Sequence, residues 1–243
     1  MAAHRPSNRD DPLSELAAVT AIARDLLVVV DAAGRRDLWL WEHSERVSRL
    51  ACMLAELPEI SSTNPNRAAL AVAGLFHDAG WALQVREGRI DRWQLLSRPT
   101  NELQRELGAT AVEESAGRML PRDVLQVAML AIRSANDRNT AQVEAQLIAE
   151  AENLDEIGVL YVLRQFRQSQ AEGRSLDQLL TTWKTHLEYR YWEARINDTL
   201  RFEATRRIAR ERLAGVAAMM NVLARDMACR DLAEAIQELS IRS

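Results

Sequence analysis

Apolar residues recur at steps of three and four along almost the whole chain, and nowhere do they alternate for long enough to demand a sheet. Ser14 stands where a cap would open a helix over residues 15–30, ended by Gly34. Leu40, Val47, Leu50, Leu54 and Leu57 give an amphipathic helix over residues 37–57. Residues 58–66 (PEISSTNPN) read as a loop by their Pro, Ser and Asn content. Residues 68–76 (AALAVAGLF) are apolar on every side; a buried strand would fit their length, but the alanines favour a buried helix.

Gly80 is expected to break that helix, with irregular chain as far as Pro99. Helices follow over residues 101–107, ended by Gly108, then 109–120 and 122–133, with Pro121 where proline opens a helix. A long helix runs from residue 140 or 141 to 167, and Gly173 with Ser175 marks a turn and a new cap. Two more helices span 176–191 and 193–227, the second striped by Ile196, Leu200, Ala204, Ile208 and Leu213, and a short one spans 230–241. The expected fold is all-α: a polar tail over 1–12, one helical domain over 13–228 and an extension over 229–243. No internal repeat is evident.

Length and composition narrow the class. A chain of 243 residues can bury a sizeable core, and 47% hydrophobic with 27% charged residues fits a folded globular protein rather than a disordered one. Two cysteines, Cys52 and Cys229, can form neither a disulfide framework nor a Cys-rich zinc site, and their scarcity fits a reducing compartment. A formal net charge of −4 argues against general nucleic-acid binding. Lys184 is the only lysine, a bias read as genome composition. The longest early apolar run, residues 26–30, is too short for a signal-peptide core or a membrane span. A cytoplasmic protein without a membrane partner is expected.

The candidate chemistry rests on few residues. Of four histidines, His4 lies in the tail, and His186 reads as a packing or hydrogen-bonding residue. His43 lies between Leu40 and Val47 on the inward face of its helix, and His77 ends the apolar segment with Asp78 directly after it. An imidazole and a carboxylate at the end of a buried helix are costly to desolvate unless something pairs them. A divalent cation is one such partner; a simple His–Asp hydrogen bond is another. On the long helix, Glu152 and Asp155 fall within an otherwise apolar row that includes Ile148, Leu154 and Val159. Their bland reading is a salt bridge to a core-facing arginine such as Arg46 or Arg133. Together, two imidazoles, Asp78 and Glu152 make a mixed nitrogen and oxygen set suited to Mn²⁺, Fe²⁺, Zn²⁺ or Ni²⁺.

Three segments carry a family resemblance: residues 43–51 (HSERVSRLA), 73–80 (AGLFHDAG) and 149–158 (AEAENLDEIG). Together they resemble the HD-domain superfamily, all-α proteins that are mostly metal-dependent phosphohydrolases named for an adjacent His-Asp pair. The resemblance covers residues 37–165, and more weakly the run FEATRRIARERL at 202–213. It implies an HD-domain-like helical bundle with additional C-terminal helices.

It also implies metal ligation by His43, His77, Asp78 and Glu152, with one divalent ion, Mn²⁺, Fe²⁺, Ni²⁺, Zn²⁺ or Mg²⁺. Several positions depart from the family pattern. Glu152 stands where the last ligand is usually Asp, and Trp81 stands where many members have Lys. The histidines that hold a second metal in some members are missing from residues 131–137 (AIRSAND), which speaks against a dinuclear site. Trp81 is expected beside the metal. The catalytic candidates are Asp78, to orient or deprotonate a water, and Asp155, to hold a ligating imidazole. Arg46 and Arg98 are candidates for pairing with substrate phosphate. The implied function is hydrolysis of a phosphomonoester or nucleotide. The rival reading is a catalytically inactive HD-like ligand-binding or scaffolding module. Self-association is left open.

Overall fold

A computed structural model describes residues 12–31, 33–96 and 99–242. The first eleven residues, including His4, lie outside this range, and so does Arg98. Helix dominates as the periodicity predicts. The only strands among the described residues are β1 (Val29–Val30) and β2 (Arg36–Asp37), paired antiparallel. No helix among the described residues is long and apolar enough to cross a membrane.

The chain divides into two compact units, residues 1–152 and 153–243. The first opens with α1 (Pro12–Leu27), which starts two residues before Ser14 and ends before Val30. The end expected in helix is instead strand. The Asp31 carboxylate accepts from the backbone N–H of Ala33 and of Arg35, and Gly34 takes φ +76°. Together these fold the chain into a tight turn. α2 (Trp39–Leu54) and the single-turn α3 (Pro58–Ser61) follow.

α4 (Arg67–Phe76) is a helix, as its alanines predict, and the Asn66 side chain caps it by accepting from Ala69 N–H. It packs against α2, α1 and, further along, α7. Leu70 and Phe76 are fully buried, and each such side chain contributes about 1.5–3 kcal/mol relative to exposure.

Two glycines expected to break helices lie inside them. α5 (Ala79–Arg86) contains Gly80, and a short 3₁₀ turn spans Arg92–Leu96. α6 (Glu102–Ala116) runs unbroken through Gly108, opened by a capping box in which Asn101 and Gln104 serve each other's backbone. A Cβ at Gly80 would fall within 3.0 Å of the Gln104 backbone, and one at Gly108 would lie 2.9 Å from the Phe76 carbonyl. Both glycines therefore serve close helix approach rather than termination. α7 (Arg122–Ser134) completes the packing against α4 and α6.

The helix expected over residues 140–167 is two, α8 (Val143–Asp155) and α9 (Val159–Ala171). Gly158 separates them at φ +131°, a conformation that L side chains rarely adopt. In the second unit, α10 (Leu176–Glu188) is capped by Ser175. The expected helix 193–227 is also two, α11 (Tyr191–Thr199) and α12 (Glu203–Met227), because Leu200 and Phe202 are extended. α13 (Arg230–Arg242) closes the chain. Trp192 anchors this unit, with the Tyr161 ring meeting it edge-on at 4.6 Å between centroids.

Candidate metal centre

His43 sits on α2 on the side of the buried row Leu40, Ser44, Val47 and Ser48. That row meets α4 closely because Gly74 has no side chain; a Cβ there would fall within 3.0 Å of the Ser48 backbone. Ser48 Oγ adds a hydrogen bond to the Ala71 carbonyl, 2.9 Å away. The close crossing brings His43 to the C-terminal end of α4, where His77 is fully buried.

His77 donates through Nδ1 to the Gly74 carbonyl at 2.8 Å. This bond fixes the tautomer and leaves Nε2 as a bare lone pair. Burial pushes the His77 pKa below the ordinary histidine value, against the smaller opposing pull of Asp78 and Glu152. Its 3.5 Å contact with the Asp78 carboxylate is therefore not an ion pair at neutral pH.

Asp78 occupies the N-cap position of α5, yet its side chain makes no capping bond. The carboxylate turns to the imidazoles instead. Its Oδ2 lies 3.6 Å from His43 Nε2 and 3.5 Å from His77 Nε2, and the two Nε2 atoms are 3.3 Å apart. The point equidistant from the three atoms of that triangle lies about 2.0 Å from each, matching the 2.0–2.2 Å expected for a metal with N and O donors. The residues present fit a divalent cation on these grounds. Among the described residues, His43, His77 and Asp78 form a group of potential ligands whose atoms all lie within 4.8 Å of one another.

Glu152 is not brought into that group. Its Oε2 accepts from Arg105 Nη2 at 2.5 Å. Arg105 was not singled out by the sequence; of the arginines considered for this role, Arg133 pairs instead with Glu106 through two 2.7 Å bonds. Arg105 also donates to Asn136 Oδ1 through Nε and Nη2 (3.0 and 2.9 Å), and through Nη1 to the His77 carbonyl at 3.5 Å. A signal was available. Arg105 begins the row Arg105, Ala109, Val112, Ala116, the buried stripe of α6, where a charge needs a partner.

Trp81, expected at the site, reaches it through an intermediary. Its indole N–H donates to Thr100 Oγ1 at 3.1 Å, and Thr100 donates to Asp78 Oδ1 at 3.4 Å. Asn136 Nδ2 donates to the Thr100 carbonyl at 2.9 Å, which ties this bridge to Arg105. Arg46 is half-buried on α2, three residues beyond His43. Asp155 belongs to the second unit as the last residue of α8; it is buried, and its charge acts on Arg212.

Residues 40–157 match the HD domain. Among solved structures, Bacillus subtilis YpgQ in complex with ADP superposes with a TM-score of 0.58 at 18% identity, covering 88% of this chain and 96% of that one. A predicted HD superfamily hydrolase from an uncultured Thermotogales bacterium superposes with a TM-score of 0.54 at 18% identity, covering 88% of this chain and 93% of that one. At such identities the likeness carries the fold. No curated protein matches the sequence.

Proposed function

Because this chain belongs to the HD-domain superfamily through residues 40–157, we propose that it is a metal-dependent phosphohydrolase acting on a phosphomonoester or nucleotide. The observation that carries this reading is the triangle of His43 Nε2, His77 Nε2 and Asp78 Oδ2, with sides of 3.3, 3.5 and 3.6 Å. The substrate class is supported by the fold neighbour that holds ADP.

His43, His77 and Asp78 would hold one divalent cation. Such an ion lowers the pKa of a bound water and neutralises phosphoryl charge. The bond from His77 Nδ1 to Gly74 keeps the ring in its ligating tautomer. Asp78 takes the proton of the attacking water, while Thr100 holds its Oδ1 and so sets the angle of Oδ2. Arg46, one helical turn from His43, pairs with phosphate charge through its planar fork.

A second reading is an HD-like module that binds a ligand without turnover. The Arg105–Glu152 pair favours it, since the acid at the family's last ligand position is already engaged. A screen of nucleotides and phosphoesters with Mn²⁺, Ni²⁺, Mg²⁺ and Co²⁺ separates the two. Turnover that disappears in His77→Ala supports the hydrolase; binding of a nucleotide without turnover under every metal supports the module.

A further inference from the structure

Glu152 and Arg105 carry an inference that rests on the reading of His43, His77 and Asp78 as a cation site. Arg105 is 2% exposed, and a charged side chain so buried needs full compensation. Glu152 supplies the charge at 2.5 Å. Arg105 does not depend on Glu152 for its position. Asn136 holds it through two bonds, the His77 carbonyl accepts from it, and the capping box at Asn101 fixes the start of its helix. Glu152 stands outside the group of ligand atoms that lie within 4.8 Å of one another, and swinging it toward a cation would strain or break its charge-assisted hydrogen bond to a buried guanidinium.

We propose that Arg105 is a positioning residue that keeps Glu152 off the cation. His43, His77 and Asp78 are then the complete protein ligand set, and the coordination position that an acid at residue 152 would fill belongs to a phosphoryl oxygen of the substrate. The charge follows directly. Two neutral imidazoles and one carboxylate leave a divalent ion with one net positive charge, whereas a second carboxylate would cancel it. A site with residual positive charge binds an anion more tightly, so the pair Arg105–Glu152 sets the preference for a phosphorylated ligand.

The test is a Mn²⁺ titration of the full chain, followed by the loss of the free-ion electron paramagnetic resonance signal, with inorganic phosphate as the anion probe. Glu152→Gln keeps size and an acceptor for Arg105, and its Mn²⁺ affinity is expected within about threefold of wild type, while His77→Ala weakens binding by more than about tenfold. Arg105→Met frees Glu152; Mn²⁺ then binds about tenfold more tightly and inorganic phosphate more weakly, and both changes revert in Arg105→Met with Glu152→Gln. A loss of about tenfold or more in Glu152→Gln makes Glu152 a ligand and overturns the assignment alone. Wild type that binds Mn²⁺ no better than His77→Ala overturns the cation site and the assignment with it. Should Arg105→Met fail to fold, Glu152→Gln decides by itself.

Discussion

The Nε2 atoms of His43 and His77 face each other at 3.3 Å, and the proton on His77 is committed to the Gly74 carbonyl on the far side of its ring. At most one hydrogen can lie between the two nitrogens at neutral pH, and the Asp78 carboxylate flanks both. On the proposed reading, a divalent cation takes the place of that hydrogen and is held by the two nitrogens and the carboxylate. The purified protein is expected to carry about one such ion per chain, removed in His77→Ala with Asp78→Ala. Equal trace metal in both proteins, measured by elemental analysis, would contradict this.

Thr100→Val keeps the volume of the side chain but removes both the acceptor for Trp81 and the donor to Asp78 Oδ1. The indole N–H is left without its partner, which costs about 1–3 kcal/mol of stability. Metal affinity falls about tenfold because Asp78 loses its orientation. Chemical denaturation and a metal titration read the two effects separately.

Gly74 and Gly215 should respond oppositely to alanine. At Gly74 the new methyl meets the Ser48 backbone within 3.0 Å, so the substitution costs about 3 kcal/mol or prevents folding, and parts His43 from His77. At Gly215, inside α12, nothing lies within 4 Å, and the gain is about 0.5–1 kcal/mol from a better helix former. Equal denaturation midpoints for the two variants would refute the close-crossing account.

His186 provides the pH dependence outside the metal centre. Its ring stacks on Tyr191 at 4.4 Å, meets Trp192 edge-on and takes part in a 3.1 Å hydrogen bond with the Tyr161 hydroxyl. Burial lowers its pKa below the ordinary 6.5. The unfolded chain therefore takes up a proton before the folded one does. This group's contribution to stability is full above pH 6.5 and declines as pH falls below it toward the folded value. A ring-proton NMR titration of His186 with a midpoint at or above 6.5 would refute this.

Local pattern exposed α4 and the His-Asp pair, because alanine content and an imidazole at the end of an apolar run are readable within a few residues. Contacts between distant segments were not readable in the same way. Arg105 meets Asn136 and Glu152 at separations of 31 and 47 residues, and no helical period reports such meetings. Glycines illustrate the same limit. Gly80 and Gly108 look like stops but mark where another backbone passes, while Gly158, inside the helix expected to reach residue 167, is the true break. Which of these a glycine does depends on its neighbours in space. Asp78 shows the converse: its position suits a cap, and only the placement of His43 reveals that its carboxylate faces elsewhere.

His43 and His77 stand only 34 residues apart along the chain. An ion shared between them fastens a short loop, as a removable clasp across the α2–α4 pair. The chain entropy given up in closing so short a loop is modest, and its cost grows only slowly with length. Loading the clasp therefore tightens this pair first. Chelation should loosen amide-exchange protection in α2 and α4 before the rest of the molecule responds.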